Sequence, residues 1–528
     1  MSEASTVRHD EALWQQPHNP WVIALVVTMA TFMEVLDTSV ANVSLPHIAG
    51  NLSAGVDEST WVLTSYLVSN AVVLPLSGWI SERIGRKRFY MSCVALFTIS
   101  SLLCGLAPSL GWLVFFRVLQ GAGGGGLQPS EQAILADTFP PAKRGMAFAV
   151  YGMAVVVAPA LGPTLGGWIT DNFTWRWIFL VNIPVGVLSL ILTSRLISDP
   201  PYLKKKRAGV KIDYIGFGLI ALGLGMLQVV LDKGQREDWF ETTYIRVFTV
   251  IFVAALILAV IWELRVKEPV VDLRLFKDRT FLMSNVMLFI VGFVLYSSTV
   301  LLPQYAQELM GYTAEQSGKV ISPGGLAVMM LMPLVGYLVT HYDARKLIAL
   351  GFVLVAAGLF NMTRFNLQVS FETMMWARVL QSGGLAFIFV PINTVAYAFL
   401  PREKNNAASG LINLSRNIGG SVGISFVTTM LARRAQFHQT VLVSHLSSYN
   451  WRFLGAARTL AQDFATAGAS TWTATRQAYA AIGGTITQQS SLLAYIDNFH
   501  VLGLICLALI PLTFLMKKSK PGGPVAVH

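Results

Sequence analysis

Stretches of about twenty mostly apolar residues alternate with short polar connections from residue 20 to residue 515. Twenty residues in a helix rise about 30 Å, the thickness of a bilayer's hydrocarbon core. The pattern predicts fourteen membrane-spanning helices, at 20–45, 60–80, 89–107, 111–136, 145–170, 176–196, 214–232, 244–263, 281–306, 317–340, 347–363, 373–400, 405–431 and 490–515. One connection breaks the rhythm. Residues 432–489 form a long link that mixes Trp451, Phe453, Trp472 and Tyr479 with polar side chains. Two readings stay open for it: a short amphipathic helix lying on the membrane or a partner, or a plain loop.

Composition agrees with the pattern. Hydrophobic residues make up 54% and charged residues 13%, against roughly 25% charged in soluble domains, so a soluble globular chain is excluded. The net charge of +11 raises nucleic-acid binding, and its placement removes it. The basic residues gather in alternate connections: Arg83, Arg86, Lys87 and Arg88; Lys143 and Arg144; Lys204–Arg207 and Lys211; Arg265, Lys267, Arg274, Lys277 and Arg279; Arg345 and Lys346; Arg402 and Lys404; Lys517, Lys518 and Lys520. The connection from Pro46 to Thr60 has no Lys or Arg. The positive-inside rule then puts both termini in the cytoplasm, as an even span count requires. The polar start, with Glu3, Asp10 and Glu11, lacks the basic segment of a secretory signal, so the first span is read as uncleaved. Cys93, Cys104 and Cys506 lie inside apolar spans as small buried hydrophobes. With no metal-ligand spacing and no catalytic histidine motif, neither an enzyme, a metal nor a cofactor is expected.

The chain repeats itself. "FRVLQGAGGG" from Phe116 is echoed by "ARVLQSGGLA" from Ala377, with Arg117 and Arg378 standing 261 positions apart (378 − 117). "PLSGWISERIGRK" from Pro75 is echoed by "PLVGYLVTHYDARK" from Pro333, 258 positions on (333 − 75). The echoes fall on spans two and four, then ten and twelve. This predicts two six-helix repeats of the same orientation with spans seven and eight inserted between them. Parallel repeats of this kind are a transporter architecture with the substrate between the halves near mid-membrane. The expected organisation is a cytoplasmic tail at 1–19, a six-helix bundle at 20–196, a basic linker with two inserted helices at 197–280, a six-helix bundle at 281–516 including the outer link 432–489, and a cytoplasmic tail at 517–528. The inserted helices carry no ionisable residue at their centres and are expected to face lipid.

A charge at mid-bilayer costs about 2.5–3.5 kcal/mol on insertion scales and faces a partner or a water path. Span one reads "TFMEVLDTSVANVSLP", with Glu34 and Asp37 on one helical face. Asp37 lies roughly 12 Å from the outer end of its span, and Arg117 roughly 9 Å from the outer end of span four, at a rise of 1.5 Å per residue. Arg117 is therefore expected to face an acid of span one, with Gln120 and Gly124 on the same face. A carboxyl beside a guanidinium in a low-dielectric interior is a proton carrier if its charge changes with conformation, and a fixed pin between spans if it does not; Asp37, Glu34 and Arg117 are the proton-coupling candidates. The five glycines after Arg117 lack the Lys-Ser/Thr of a phosphate loop. Close helix approach or direct substrate contact remain for them. Arg378 repeats Arg117, but span nine has no interior acid to match Asp37, so proton handling is expected in the first half alone. Asn42, Gln120, Gln128, Arg378, Asn413 and Arg416 are candidates to line a substrate cavity. Lys319 is expected to snorkel at the outer end of its span, and Glu131 to lie at the inner interface.

Four segments carry a family resemblance: "LDTSVANVSLP" (Leu36–Pro46), "GWISERIGRK" (Gly78–Lys87), "RVLQGAGGG" (Arg117–Gly125) and "APALGPTLGG" (Ala158–Gly167). In this order they resemble the fourteen-span drug:proton antiporters of the major facilitator superfamily, EmrB/QacA type. "LDKGQREDWF" (Leu231–Phe240), "VDLRLFKDRTF" (Val271–Phe281), "LLPQYAQELMGYTA" (Leu301–Ala314) and the long outer link resemble the EmrB branch. The resemblance implies gating roles for Gly78, Glu82, Arg83, Gly85 and Arg86 in the connection after span two, where Glu82 replaces the usual Asp. It implies the same for Pro159, Gly162, Pro163, Gly166 and Gly167 in span five, where proline breaks helix hydrogen bonding and glycine allows tight packing. It further implies an all-α major facilitator fold in the bacterial inner membrane and proton-driven export of small lipophilic drugs from cytoplasm or membrane lipid, with no cofactor beyond the proton motive force. The implied partners are a periplasmic adaptor of the EmrA membrane-fusion type and a TolC-type outer-membrane channel. A stand-alone exporter or a symporter of one metabolite is the alternative.

Overall fold

The computed structural model describes residues 16–200, 213–447 and 449–518; the polar start with Glu3, Asp10 and Glu11, the basic run Lys204–Arg207 with Lys211, and Lys520 lie outside the described residues. The described chain is helical without a strand. The first seven helices are α1 (Pro20–Asn51), α2 (Trp61–Ile84), α3 (Arg86–Gly105), α4 (Leu110–Gly124), α5 (Leu127–Thr138), α6 (Pro141–Asn172) and α7 (Asn182–Leu196, preceded by the turn Trp177–Leu180). Next come α8 (Tyr214–Lys233) and α9 (Thr243–Arg265). The remainder are α10 (Arg279–Glu308), α11 (Ala314–His341), α12 (Ala344–Met362), α13 (Phe371–Ala396), α14 (Asn405–Ser444), α15 (Trp451–Thr466) and α16 (Thr471–Thr513). Their starts are written in local chemistry. Asn19, Asp213, Asp278, Asp343, Ser370 and Ser470 each accept a backbone N–H of the first turn, and Thr313 with Gln316 closes a capping box.

Twelve of the described helices are long and apolar enough to cross a membrane. The two other expected spans fall short for physical reasons. The one expected at 111–136 is interrupted at Gly125–Gly126 into α4 and α5. The one expected at 405–431 runs on to Ser444 as α14 and spends its length on Asn405, Asn406, Asn413 and Arg416, which are buried against protein. The link at 432–489 is mostly helix. α14 extends into it, α15 fills its middle, and α16 starts at Thr471 rather than at 490. α15 lies back along α16, with Ala457, Ala474 and Ala478 buried between them and Phe453 against Tyr479 at 5.8 Å.

The glycine run explains how α4 and α5 sit so close to α2 and α3. A Cβ on Gly121 would overlap the Tyr66 carbonyl, one on Gly123 would stand 2.7 Å from the Phe97 nitrogen, and one on Gly125 2.6 Å from the Asn70 carbonyl. The neighbours are backbone, which cannot swing aside. Gly121→Ala is therefore expected to destabilise the first half by about 1–3 kcal/mol, the usual overpacking range, read as a lower melting temperature of purified protein. A melting temperature equal to wild type would refute this packing role.

The halves meet along two helix pairs. α6 runs against α11, where Thr164 and Ser322 hydroxyls are 3.2 Å apart. α2 meets α14, where a Cβ on Gly78 would stand 2.8 Å from the Asn406 carbonyl oxygen. α6 stays one helix in spite of Pro159 and Pro163. Pro163 has no N–H for the carbonyl of Pro159, and Ser39 Oγ of α1 donates to that oxygen at 3.1 Å instead. Gly162 and Gly166 bring α1 close, at Ser39 and Val40; Gly167 has no such neighbour, its nearest being the Glu315 nitrogen at 3.9 Å.

The inserted pair is not uniform: the apolar side chains of α9 are largely exposed, whereas α8 is not free to face lipid on all sides. α8 bridges the two halves. Asp232 accepts from the Thr64 hydroxyl and Lys233 donates to Thr60, both next to or in α2. Gln228 Oε1 accepts from Ser421 of α14 at 2.9 Å, and Trp239, just past α8, donates to Thr429 at 3.2 Å.

Candidate functional site

The polar row of α1 meets α2, α4, α5 and α7 at two neighbouring centres. At the first, Asp37 Oδ2 accepts from Arg117 Nη1 at 2.5 Å, and Oδ1 accepts from Gln120 Nε2 at 3.0 Å and Asn182 Nδ2 at 2.8 Å. Both ionic side chains are 0% exposed. Arg117 Nε donates to the Val62 carbonyl at 3.0 Å, and its guanidinium lies 4.3 Å from the Tyr66 ring centroid. Gln120 and Asn182 also donate to Ser101 of α3, at 3.2 and 3.0 Å. Five helices of the first half are thus tied to one carboxylate whose oxygens are both occupied by charge-assisted or amide donors.

Glu34, one turn away on the same face, has a different environment. Oε1 accepts from Tyr66 Oη at 3.0 Å and Asn70 Nδ2 at 3.2 Å, and Oε2 accepts from Gln128 Nε2 at 2.6 Å. Among the described residues no cation touches it directly. Gln128 turns its other end to the second half, where its Oε1 accepts from Arg416 Nη2. Arg416 also donates to Tyr151 Oη at 2.8 Å and Asn413 Oδ1 at 2.9 Å. Its hydrogen-bond partners among the described residues are all neutral, and it is 1% exposed. One glutamine therefore connects a buried carboxyl of the first half with a buried guanidinium of the second.

Beside this link, Gln132 Oε1 accepts from Asn413 Nδ2 at 2.8 Å and Tyr397 Oη at 3.0 Å, while its Nε2 donates to Asn393 Oδ1 at 3.3 Å. Gln132 and Asn393 are 261 positions apart, the offset of the repeat. Equivalent residues that touch lie close to the axis relating the halves, so this is the centre of the molecule. Nearer the face that bears Arg83 and Arg86, Asp137 joins Arg86 at 2.6 Å to Asn405 Nδ2 at 2.7 Å. Gly85 begins α3 at φ +95°, a left-handed backbone that favours glycine. Arg83 stacks on Trp79 at 4.1 Å, and Glu82 lines a hollow there with Lys267, Asp272 and Lys404.

Arg378 shows what the second half lacks. It donates to Ser298 at 3.0 Å, Gln381 at 2.9 Å and Thr299 at 3.1 Å. Ser298 stands 261 positions after Asp37 (298 − 37), so a hydroxyl occupies the carboxylate's equivalent place.

Two sequence expectations need correction. Asn42 is exposed and joins neither network, because the face of α1 that turns inward is the one carrying Glu34 and Asp37. Glu131 is not interfacial: it is 0% exposed, and its Oε1 accepts from Thr28 Oγ1 at 2.6 Å. Short α5 is buried nearly from end to end, so nearness to the end of the span brings no water. Lys319 is 58% exposed and pairs with Glu315 at 2.6 Å. Sequence reasoning passed over Tyr66, Asn70, Gln132, Tyr151 and Asn182, whose only signal is a lone polar group within an apolar run. Among the described residues no group of three or more His, Cys, Asp or Glu is placed to hold a metal ion.

Comparison with known proteins adds a family. The model of the Major Facilitator Superfamily matches residues 27–424. The multidrug export protein EmrB of Escherichia coli strain K12 is 37% identical over 430 residues, covering 81% of this chain and 83% of that protein. The fatty acid resistance protein FarB of Neisseria gonorrhoeae is 38% identical over 501 residues, covering 94% and 96%. Among solved structures, the proton:xylose symporter XylE bound to 6-bromo-6-deoxy-D-glucose superposes with a TM-score of 0.60 at 15% identity, covering 96% of this chain and 97% of that one. That likeness bears on the fold.

Proposed function

The chain belongs to the Major Facilitator Superfamily, and from that premise we propose that it is a proton-driven antiporter exporting lipophilic, toxic small molecules. Membership makes it a multi-pass membrane transporter rather than an enzyme. Relatives named for multidrug export and fatty acid resistance support an export role. Counting α4 with α5, and α14, as spans brings the total to fourteen, with two six-helix bundles at 20–196 and 281–516, an inserted segment at 197–280 and both termini in the cytoplasm of an inner-membrane protein. α15 and the head of α16 then project outward, with Trp451 and Trp472 exposed, and support docking of a periplasmic adaptor that leads to an outer-membrane channel.

The observation that carries the reading is the Glu34–Gln128–Arg416 link across the halves. A proton on Glu34 removes a charge from one side of the seam, and Gln128 transmits the change to the guanidinium opposite. We assign the proton to Glu34. Asp37, matched by Arg117, acts as a fixed pin between α1 and α4. Gln120 serves the pin; Gln128, Asn413 and Arg416 form the wall a cargo molecule meets; Arg378 has a structural role. Each proton charge entering down 100 mV supplies about 2.3 kcal/mol for cargo leaving through the rocking halves.

The test uses an efflux-deficient host expressing the full chain and challenged with laurate, ethidium and an uncoupler, with export also followed in everted vesicles. Proton entry is expected to drive accumulation of at least one of these compounds, and collapsing both pH difference and voltage to stop it. Accumulation that continues at full rate after the collapse, with no other energy source, sinks the antiport reading. Deleting the adaptor is expected to abolish growth protection.

A further inference from the structure

We propose that Glu131 is a second proton-binding group of the transport cycle, taking the proton from Glu34 and releasing it toward the cytoplasm. The inference rests on the antiport reading above. Its basis is a buried carboxyl that the pin and the Glu34 link leave unused. Glu131 is wholly buried in α5, on the side of Glu34 that leads to the cytoplasm. Its Oε1 accepts from Thr28 of α1, six residues and about 9 Å along the helix from Glu34. Its Oε2 has no hydrogen-bond partner among the described residues. Thr31 lies between Thr28 and Glu34 on α1; it too is buried, its hydroxyl makes no hydrogen bond among the described residues, and it lies beside the Glu131 carboxyl.

Three buried carboxyls near the middle of the first half are held in three ways. Asp37 has a guanidinium and two amides. Glu34 has three neutral donors shared over both oxygens. Glu131 has one hydroxyl. Among the described residues no cation makes an ion pair with Glu131, and Arg416 acts on it only from a distance. α1 offers Glu34, α2 offers Tyr66, and α3 offers Cys93 and Tyr90, whose hydroxyl donates to Val27. α6 offers Tyr151, and Tyr397 at the end of α13 donates to the neighbouring Gln132. On α5 itself, Asp137 is tied to Arg86 of α3 and to Asn405 of α14. Arg117 of α4 is matched to Asp37, and Arg416 of α14 is engaged by Gln128, Tyr151 and Asn413. A carboxylate with this surrounding is a buried charge left unpaired, whereas the acid form is a single buried O–H. Three donors on Glu34 and one on Glu131 favour the charge on Glu34 and the proton on Glu131. Thr31, three residues before Glu34 on α1 and so on the same side of the helix, is the group placed to relay once a Glu34 oxygen turns from its present donors to it: the Glu34 acid proton passes to Thr31 Oγ1 as the Thr31 hydroxyl proton passes to the Glu131 carboxylate. Thr31 ends unchanged, Glu34 ends anionic and Glu131 neutral.

Infrared difference spectra between acid and alkaline pH, taken on the full-length protein in lipid, read protonated buried carboxyls directly. Wild type is expected to show two carbonyl bands of buried carboxylic acids, one lost in Glu131→Gln and the other in Glu34→Gln. Resistance of the host to laurate and ethidium is expected to fall about a hundredfold in Glu131→Gln, the low end of what a positioned proton-transfer group contributes, and to persist in Glu131→Asp. Should Glu131→Gln not accumulate, Thr28→Val carries the test, shifting the pH at which the Glu131 band disappears and leaving the Glu34 band in place. A Glu131→Gln protein with both bands, or with wild-type resistance, overturns the proposal, as does a Thr28→Val protein with unmoved bands. Wild-type export that ignores collapse of the proton gradient overturns the antiport reading and this inference together; gradient-dependent export that Glu131→Gln leaves intact overturns this inference alone.

Discussion

Arg117→Met is expected to lower the folded stability of the first half by about 3–5 kcal/mol, the cost of leaving one partner of a buried ion pair without the other. Asp37 would remain among Gln120 and Asn182 with its guanidinium gone, in a site with no exposure to solvent. The loss would also release the Val62 carbonyl and the face of the Tyr66 ring, so α2 loses one of its ties to α4, the glycine packing remaining. Yield of monodisperse protein and the thermal melt in detergent report the effect. Asp37→Asn combined with Arg117→Met should recover most of the loss, because removing both charges of a buried pair is close to neutral where breaking it is not. If the single variant melts like wild type, Asp37 and Arg117 are not the junction described above. If the double variant is as unstable as the single one, the pair's value lies in packing rather than in charge.

Glu34→Gln is expected to leave a folded protein that no longer concentrates cargo. The amide keeps an acceptor for Tyr66 and Asn70 and gives up only the Gln128 hydrogen bond, because Gln128 Oε1 stays on Arg416. One proton charge falling through 100 mV is worth about 2.3 kcal/mol, which at 1.36 kcal/mol per tenfold is a ratio of about 50 between the two sides. In everted vesicles the variant should equilibrate cargo at a ratio of about one, with or without a gradient. The contrast with Asp37 is the discriminating result: replacement at Asp37 costs folded protein, and replacement at Glu34 costs coupling. Should Glu34→Gln concentrate cargo as wild type does, the proton is carried elsewhere, and the seam between Gln128 and Arg416 transmits nothing that transport needs.

Much of the site could be read before the fold. Asp37 and Arg117 are polar exceptions in apolar runs, and equal depth on antiparallel spans is enough to suggest that they meet. Arg378 without an acid follows from the composition of span nine. The role of Gln128 could not be read this way. A glutamine in a membrane helix is unremarkable until one of its ends is found on Glu34 and the other on Arg416, 288 positions away. Glu131 misled for a related reason. Distance from a span's end measures depth along one helix, and burial there is set by α1, α2, α3, α6 and α14, which close over α5 from other parts of the chain. α8 misled because apolar composition suits lipid and a bridging role equally, and the bridge is made by Gln228, Asp232 and Lys233 near one end.

By itself the sequence determined the quantities that are local or additive: apolar runs long enough to span, basic residues on one face, a repeat offset near 260, and motifs that place the chain in its family. It also determined which residues are costly in a bilayer, since that cost depends on residue type and depth. The tertiary structure decided how each cost is met. Whether a buried carboxyl is matched by a guanidinium, as Asp37 is, by neutral donors, as Glu34 is, or by one hydroxyl, as Glu131 is, depends on side chains tens to hundreds of positions away. Hydrogen bonds and ion pairs act over about 3 Å, and no pattern along one chain carries that distance.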